Sequence, residues 1–246
     1  MKSEASGEDD PRGRGVGPDG DAMRPDAQSG RLAGASVHEA IRSREFRGLY
    51  GACLICAFGL FVPFVHLVPY ALDHEVPSAS ALLLLGVIGI GSTAGRFLLG
   101  GLTDRMGRRL GLLAMFLGMA LASTVWAFST GLWPLVGFAF AYGVFYGGFV
   151  ALLPAPVMDY FGGRNVSGII GILYTSVAFG TLIGPTAAGF AFGVSHSYVL
   201  PILAGVGANV IAAGIMAGMP EPSVTAERDA RAVARFSPAA RAARSR

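Results

Sequence analysis

Gly101-Leu102-Thr103-Asp104-Arg105-Met106-Gly107-Arg108-Arg109 carries three arginines and one carboxylate, and it sits between two long apolar stretches, 79–101 and 110–130. That setting decides the fold class. An apolar run of about 20 residues is long enough to cross a bilayer as a helix, and a cationic run joining two of them reads as the turn of a membrane hairpin. Outward from it the pattern repeats. Six stretches qualify, near 48–72, 79–101, 110–130, 132–156, 166–190 and 198–220. They are uninterrupted rather than alternating, so helices are expected and not the strands of a barrel. Composition agrees: 52% of residues are hydrophobic and only 14% charged, and the charges are confined to a few stretches. The expected fold class is all-α and integral to the membrane, with six transmembrane helices.

Orientation follows from Lys and Arg placement. All but one of the nineteen fall in the N-terminal tail, the loops after the second and fourth helices, and the C-terminal tail. The three opposite loops hold none. Both termini and the 101–109 run are therefore expected in the cytoplasm of a multi-pass plasma (inner) membrane protein. The net charge of +3 is explained by this topology and gives no reason to invoke nucleic acid. Residues 1–46 read as a polar, disordered cytoplasmic segment with a short amphipathic helix from about Val37 to Phe46. Residues 47–220 form the bundle, and 221–246 a basic cytoplasmic tail. No apolar core lies in the first 30 residues, so no cleavable signal peptide is expected.

Several motifs resemble catalytic or cofactor chemistry but lack its context. Cys53 and Cys56 form a C-x-x-C inside an apolar helix, where a redox thiolate is unsupported. The run 89–95 is rich in glycine but lies mid-span, with no strand before it to make a phosphate loop. Small residues four apart instead suit close helix approach, at Gly91/Gly95, Gly143/Gly147, Gly180/Gly184 and Gly214/Gly218. His74-Glu75 has no second His at zinc-protease spacing. An intramembrane serine protease would need G-x-S-G, and Ser167-Gly168 lacks the leading Gly. No enzyme activity, metal or cofactor is expected.

Every carboxylate lies outside the apolar cores, so the ionisable side chains at membrane depth are Arg96 and His66. Such residues are costly in a membrane and point to function. Arg96 lies about six residues, roughly 9 Å, from the cytoplasmic end of the second helix. Ser92, Thr93, Gly89 and Gly100 share its side of the helix, a small polar stripe expected to face the bundle interior. A guanidinium there suits bidentate binding of a carboxylate; the alternative is snorkelling to the nearby interface. His66 lies between Pro63 and Pro69, which favour a broken helix. It suits substrate binding or proton transfer, or a bond to a freed carbonyl. Tyr174 is a further binding candidate, Tyr70, Tyr142 and Tyr146 are weaker ones, and Asn209 reads as interhelical glue.

The run Gly101, Asp104, Arg105, Gly107, Arg108, Arg109 suits a gating loop. Its carboxylate can cap a helix and its arginines can pair across a gate. Asp159 to Arg164 repeats Asp, Gly and Arg at the offsets of Asp104 to Arg109 and reads as a second gate element.

The 101–109 run closely resembles the signature loop of the major facilitator superfamily of secondary transporters. Phe61–Leu72, Gly89–Arg109 and Asn165–Gly189 are similar to the C-terminal half of its monocarboxylate-transporter-type and oxalate/formate-antiporter-like members, over roughly 37–220. The resemblance implies one half of a twelve-helix bundle that binds a small organic anion between two six-helix halves. It implies an Arg followed four residues later by Gly, here Arg96 and Gly100. Members of the first group often carry Asp four residues before that Arg, where this chain has Ser92. The second group carries a Lys after Tyr-x-x, where Val177 follows Tyr174-Thr175-Ser176. One cation instead of two suggests a monocarboxylate. The expected partners are that anion, the bilayer, and a second six-helix half on a separate chain or in a homodimer. The other reading is a truncated, non-transporting remnant or a membrane scaffold.

Overall fold

The computed structural model describes residues 34–220. The expectations for 1–33 and for the 221–246 tail lie outside the described residues, as do the side chains of Leu102, Asp104, Arg105 and Met106.

The described chain is all-α: α1 (Val37–Arg42), α2 (Arg44–Leu60), α3 (Val62–Asp73), α4 (Ser78–Met106), α5 (Arg108–Ala127), α6 (Leu132–Leu152), α7 (Pro154–Phe161), α8 (Val166–Ser195) and α9 (Val199–Ala217). With α2 running into α3 and α6 into α7, six helical spans are long and apolar enough to cross a membrane. Two isolated glycines, Gly34 and Gly162, make the one β-bridge among these residues.

Local chemistry sets the boundaries. Ser36 and Glu39 form a capping box at α1: the Ser36 hydroxyl accepts from the Glu39 amide at 3.3 Å, and the Glu39 carboxylate accepts from the Ser36 amide at 2.8 Å. Pro63 has no amide hydrogen, so the carbonyl of Gly59 is left over, and the Phe61 amide takes it as α2 ends. The next carbonyl, Leu60, receives the buried Tyr142 hydroxyl at 2.7 Å. Pro154 and Pro156 open α7 and break the fourth span at Leu153.

The 101–109 run is not the loop its polarity suggests. Helix α4 continues to Met106, and the Gly107 amide still donates to the Thr103 carbonyl at 3.0 Å. Nothing in Leu102–Met106 breaks a helix. Only Gly107, at φ 90° and ψ 137°, leaves helical geometry, and α5 starts at the next residue.

Packing pairs α4 with α6, α5 with α9 and α6, and α2 with α8 and α9. Three of the four small-residue pairs make the expected close approaches. A Cβ on Gly95 would run into the Val144 backbone, and one on Gly147 into the Ser92 backbone. Gly91 and Gly143 oppose the same helices, and Gly180 and Gly184 fit α8 against Leu54–Phe58 of α2. Gly214 and Gly218 differ: a Cβ on Gly214 would meet nothing within 4 Å, and one on Gly218 only carbonyls of its own helix. The largest buried side chains include Trp126, Tyr142, Phe116, Phe138 and Phe149. Cys53 and Cys56 are unbonded and buried, and the Cys56 thiol donates to Asn209 Oδ1 at 3.4 Å. Helices α4 and α8 are the least buried spans, so their open faces position the site.

Candidate functional site

The exposed side of α4 is divided. Leu83, Ile90 and Phe97, spaced by seven, form an apolar line that is 66–82% exposed. Beside it run Gly86, Gly89, Thr93, Arg96 and Gly100, at alternating spacings of three and four. Thr93 and Arg96 are exposed. The polar stripe therefore does not face the interior of this bundle, as its composition suggested. The interior is already filled, because α4 presents Leu84, Ile88, Gly91, Ser92 and Gly95 to its neighbours. Ser92 belongs to that packed side, with its backbone against Gly147, while Arg96 stands on the open side.

Arg96 borders an aromatic wall. It lies within electrostatic reach of Tyr146, and no hydrogen bond or ion pair engages it among the described residues. The Tyr146 ring packs edge-on against Phe64 at 5.1 Å and Phe61 at 6.1 Å. With Tyr174, Val177 and Thr181 of α8, Phe61 and Tyr146 line a cleft of about 330 Å³. Tyr174 is 38% exposed there. One turn along, the Tyr50 hydroxyl meets Thr175 Oγ1 at 3.1 Å, and Thr175 donates to the Ile172 carbonyl. The cleft itself offers two phenolic hydroxyls and an apolar floor, and Arg96 lies within electrostatic reach of one of its walls.

His66 lies elsewhere. Its ring is buried, Nε2 donates to the Pro185 carbonyl at 3.0 Å, and Tyr198 packs alongside at 5.7 Å. A carbonyl only accepts, so this contact fixes the proton on Nε2. The carbonyl belongs to α8, not to the proline-broken helix that carries His66.

The candidate gate residues gather at the end of the bundle that bears Gly107. Arg108 is ion-paired to Asp159, and it also reaches the Ala155 carbonyl at 3.5 Å. Arg109 donates to the carbonyls of Met216, at 3.3 Å, and Ala217, at the end of α9. That is favourable placement for a cation at a helix C-terminus. Tyr160 donates to the Pro220 carbonyl at 2.7 Å. Arg164 is exposed between α7 and α8 and lies within electrostatic reach of Glu39. Glu39 has its carboxyl held below the ordinary range, first by the hydrogen bond from the Ser36 amide. Gly101, Asp104 and Arg105 fall within α4. The segment before α1 is tied in as well: the Ala35 amide donates to the Phe161 carbonyl at 2.9 Å, and Asn165 Nδ2 to the Ala35 carbonyl at 3.1 Å.

Sequence reasoning gave too little weight to Tyr146 and passed over Phe61. The signal was the pair Tyr142 and Tyr146, one helical turn apart, beside a helix that prolines break. One seals the break and the other faces the cleft.

Comparison with known proteins bears on what these residues serve. The family profile described as Major Facilitator Superfamily matches residues 48–246. Monocarboxylate transporter 12-B of Danio rerio is 33% identical over 167 residues, covering 63% of this chain and 33% of that protein. Monocarboxylate transporter 12 of Xenopus laevis is 30% identical over 179 residues, 68% of this chain and 37% of that protein. Monocarboxylate transporter 3 of Rattus norvegicus is 32% identical over 170 residues, with 65% and 34% covered. The matched region thus spans about a third of the length of these relatives.

Proposed function

Since this chain belongs to the major facilitator superfamily, we propose that it forms one six-helix half of a secondary transporter for a small organic anion, of the monocarboxylate class. The observation that carries this reading is Arg96: a guanidinium at membrane depth, on an open polar stripe, beside a cleft walled by Tyr146 and Tyr174. Left against lipid, that charge costs at least roughly 2.5–3.5 kcal/mol on insertion scales. A second six-helix bundle over the α4 and α8 faces would convert the cost into a binding site. The names of the relatives supply the substrate class, and one cation at membrane depth, Arg96, among the described residues favours one carboxylate over two.

In this reading the substrate carboxylate accepts two parallel hydrogen bonds from Arg96, and Tyr146 and Tyr174 donate to it or close over it. The apolar floor at Phe61 and Val177 accepts a short carbon chain. Ser92 positions Arg96 through the α4–α6 contact. His66, with its Nε2 proton committed to the Pro185 carbonyl of α8, serves as a brace for α3. The two arginine-rich ends near Gly107 and Asp159, with Gly101, Asp104, Arg105 and Arg164, form the gate on one side of the membrane. Rocking one half against the other about the site gives alternating access.

The test is uptake of labelled short monocarboxylates by membrane vesicles from cells producing the full chain, against vector controls. Arg96→Ala should abolish uptake at unchanged protein level. Arg96→Lys keeps the charge and loses the fork, so uptake should fall about tenfold or more, the value of a charge-assisted hydrogen bond of roughly 1.5–3 kcal/mol. Full uptake by Arg96→Ala, or uptake by the native chain as a proven monomer, would overturn the reading.

A further inference from the structure

A second cationic feature lies away from the cleft. Arg44 and Arg47, one turn apart at the start of α2, are both exposed. Neither is ion-paired among the described residues, and the one side-chain bond either makes is from Arg47 Nε to the Ser43 carbonyl at 3.4 Å. With Gly48 of α2 and Gly214, Gly218 and Met219 at the end of α9, they line a groove of about 380 Å³. Small-molecule pockets run from roughly 300 to 1,000 Å³, so the groove has the size of a compact polar group.

Its surroundings are electropositive. The α9 carbonyls that would repel an anion there, Met216 and Ala217, are taken by Arg109. The α2 N-terminus adds the positive end of its dipole. Its depth is also defined. Arg44 is the first residue of one membrane span and Ala217 the last of another, so the groove opens at the membrane–water boundary. Below it, one line of α9 descends into the membrane through Val210 and Leu203, which are 49% and 41% exposed. The site therefore has a cationic head at the interface and an apolar track beneath it.

We propose that this groove binds the phosphate of an anionic bilayer lipid, held by Arg44 and Arg47, with an acyl chain lying along Val210 and Leu203. Basic pockets between helices at a membrane surface recognise anionic headgroups, and the apolar track selects a lipid over a soluble phosphate. The site is separate from Arg96 and stands whether or not the chain moves solute.

The experiment is titration of the purified full chain in detergent with phosphatidylglycerol, phosphatidylcholine or glycerol phosphate, bound species being counted by native mass spectrometry. Phosphatidylglycerol should bind and the other two should not compete with it. Arg44→Gln with Arg47→Gln should weaken binding roughly thirtyfold, or about 2 kcal/mol at 1.4 kcal/mol per tenfold, as expected for two interfacial arginines. Gly214→Leu changes no charge and enters open space, so it should fold normally and block the groove, weakening binding at least tenfold; this variant carries the test if the double variant misfolds. Arg42→Gln, on α1 and outside the groove, should change nothing. Unaltered binding in Gly214→Leu, equal weakening by Arg42→Gln, or glycerol phosphate binding as tightly as the lipid would each overturn the proposal.

Discussion

The Arg108 guanidinium is ion-paired with the Asp159 carboxylate, across 51 residues of sequence. The contact joins the two runs whose spacing of Asp, Gly and Arg is alike, and it ties the first turn of α5 to α7. Their side chains are 39% and 29% exposed, so solvent screens the pair. A double-mutant cycle with Arg108→Ala and Asp159→Ala, read by thermal unfolding in detergent, should give a coupling of about 0.5–1 kcal/mol that shrinks in high salt. Zero coupling at low salt would mean the pair contributes nothing to stability.

The α4–α6 contact should be far less tolerant. Gly147→Ala drives a methyl into the Ser92 backbone, which has no flexible end to move aside. A loss of about 1–3 kcal/mol is expected from overpacking. Gly171→Ala, on α8 with nothing within 4 Å, should instead hold or gain stability, by up to about 1 kcal/mol. Thermal melts of the two variants side by side separate a steric cause from a general helix effect.

Tyr142 and Tyr146 should part company. Tyr142→Phe leaves the buried Leu60 carbonyl without its donor, a cost of about 1–3 kcal/mol, and should lower the melting temperature. Tyr146→Phe should leave folding nearly unchanged and, if the proposed site is right, lower uptake. The reverse pattern would exchange the two roles.

The six spans among the described residues would put both flanks of the bundle on one side of the membrane. Reporter fusions at residues 30 and 235 should therefore agree, and fusions after Glu75 and Ser195 should give the opposite answer. The distribution of Lys and Arg predicts that the shared side is the cytoplasm.

Acid should loosen the start of α1. Because Glu39 has a lowered folded-state pKa, its contribution is present above its ordinary value of 4.5 and disappears as pH falls through the lower folded value. Amide exchange at Glu39 and Ala40 should accelerate in that acidic window and stay unchanged above it. Glu39→Gln should remove the acid dependence.

The spans were legible because a bilayer demands long apolar helices. Of the two prolines expected to break the first span, Pro63 follows the break at Phe61, while α3 runs through Pro69. The break at Leu153, before Pro154, was not anticipated. The 101–109 run was misread as a loop because polarity was taken for irregularity, although no residue before Gly107 opposes a helix. Thr93 shares the open side of α4 with Arg96 as read, while Ser92 lies on the packed side, and within this six-helix bundle the stripe is open rather than enclosed. In water a polar stripe faces out. In a membrane bundle an open face meets either lipid or another protein, and a single helix pattern does not say which. The Arg108–Asp159 pair and the Tyr142–Leu60 contact were invisible, since each depends on distant segments meeting in space.

The glycine contacts between α4 and α6 act as a keyed joint. Gly95 and Gly147 fit against backbone, so sliding either helix by a residue would bring Cβ atoms where only hydrogens fit. Arg96 and Tyr146 are the immediate chain neighbours of those two glycines. The spacing between cation and aromatic wall is thus set by the register of the joint, and any tilt of this pair of helices carries both groups together, like two marks engraved on one ruler.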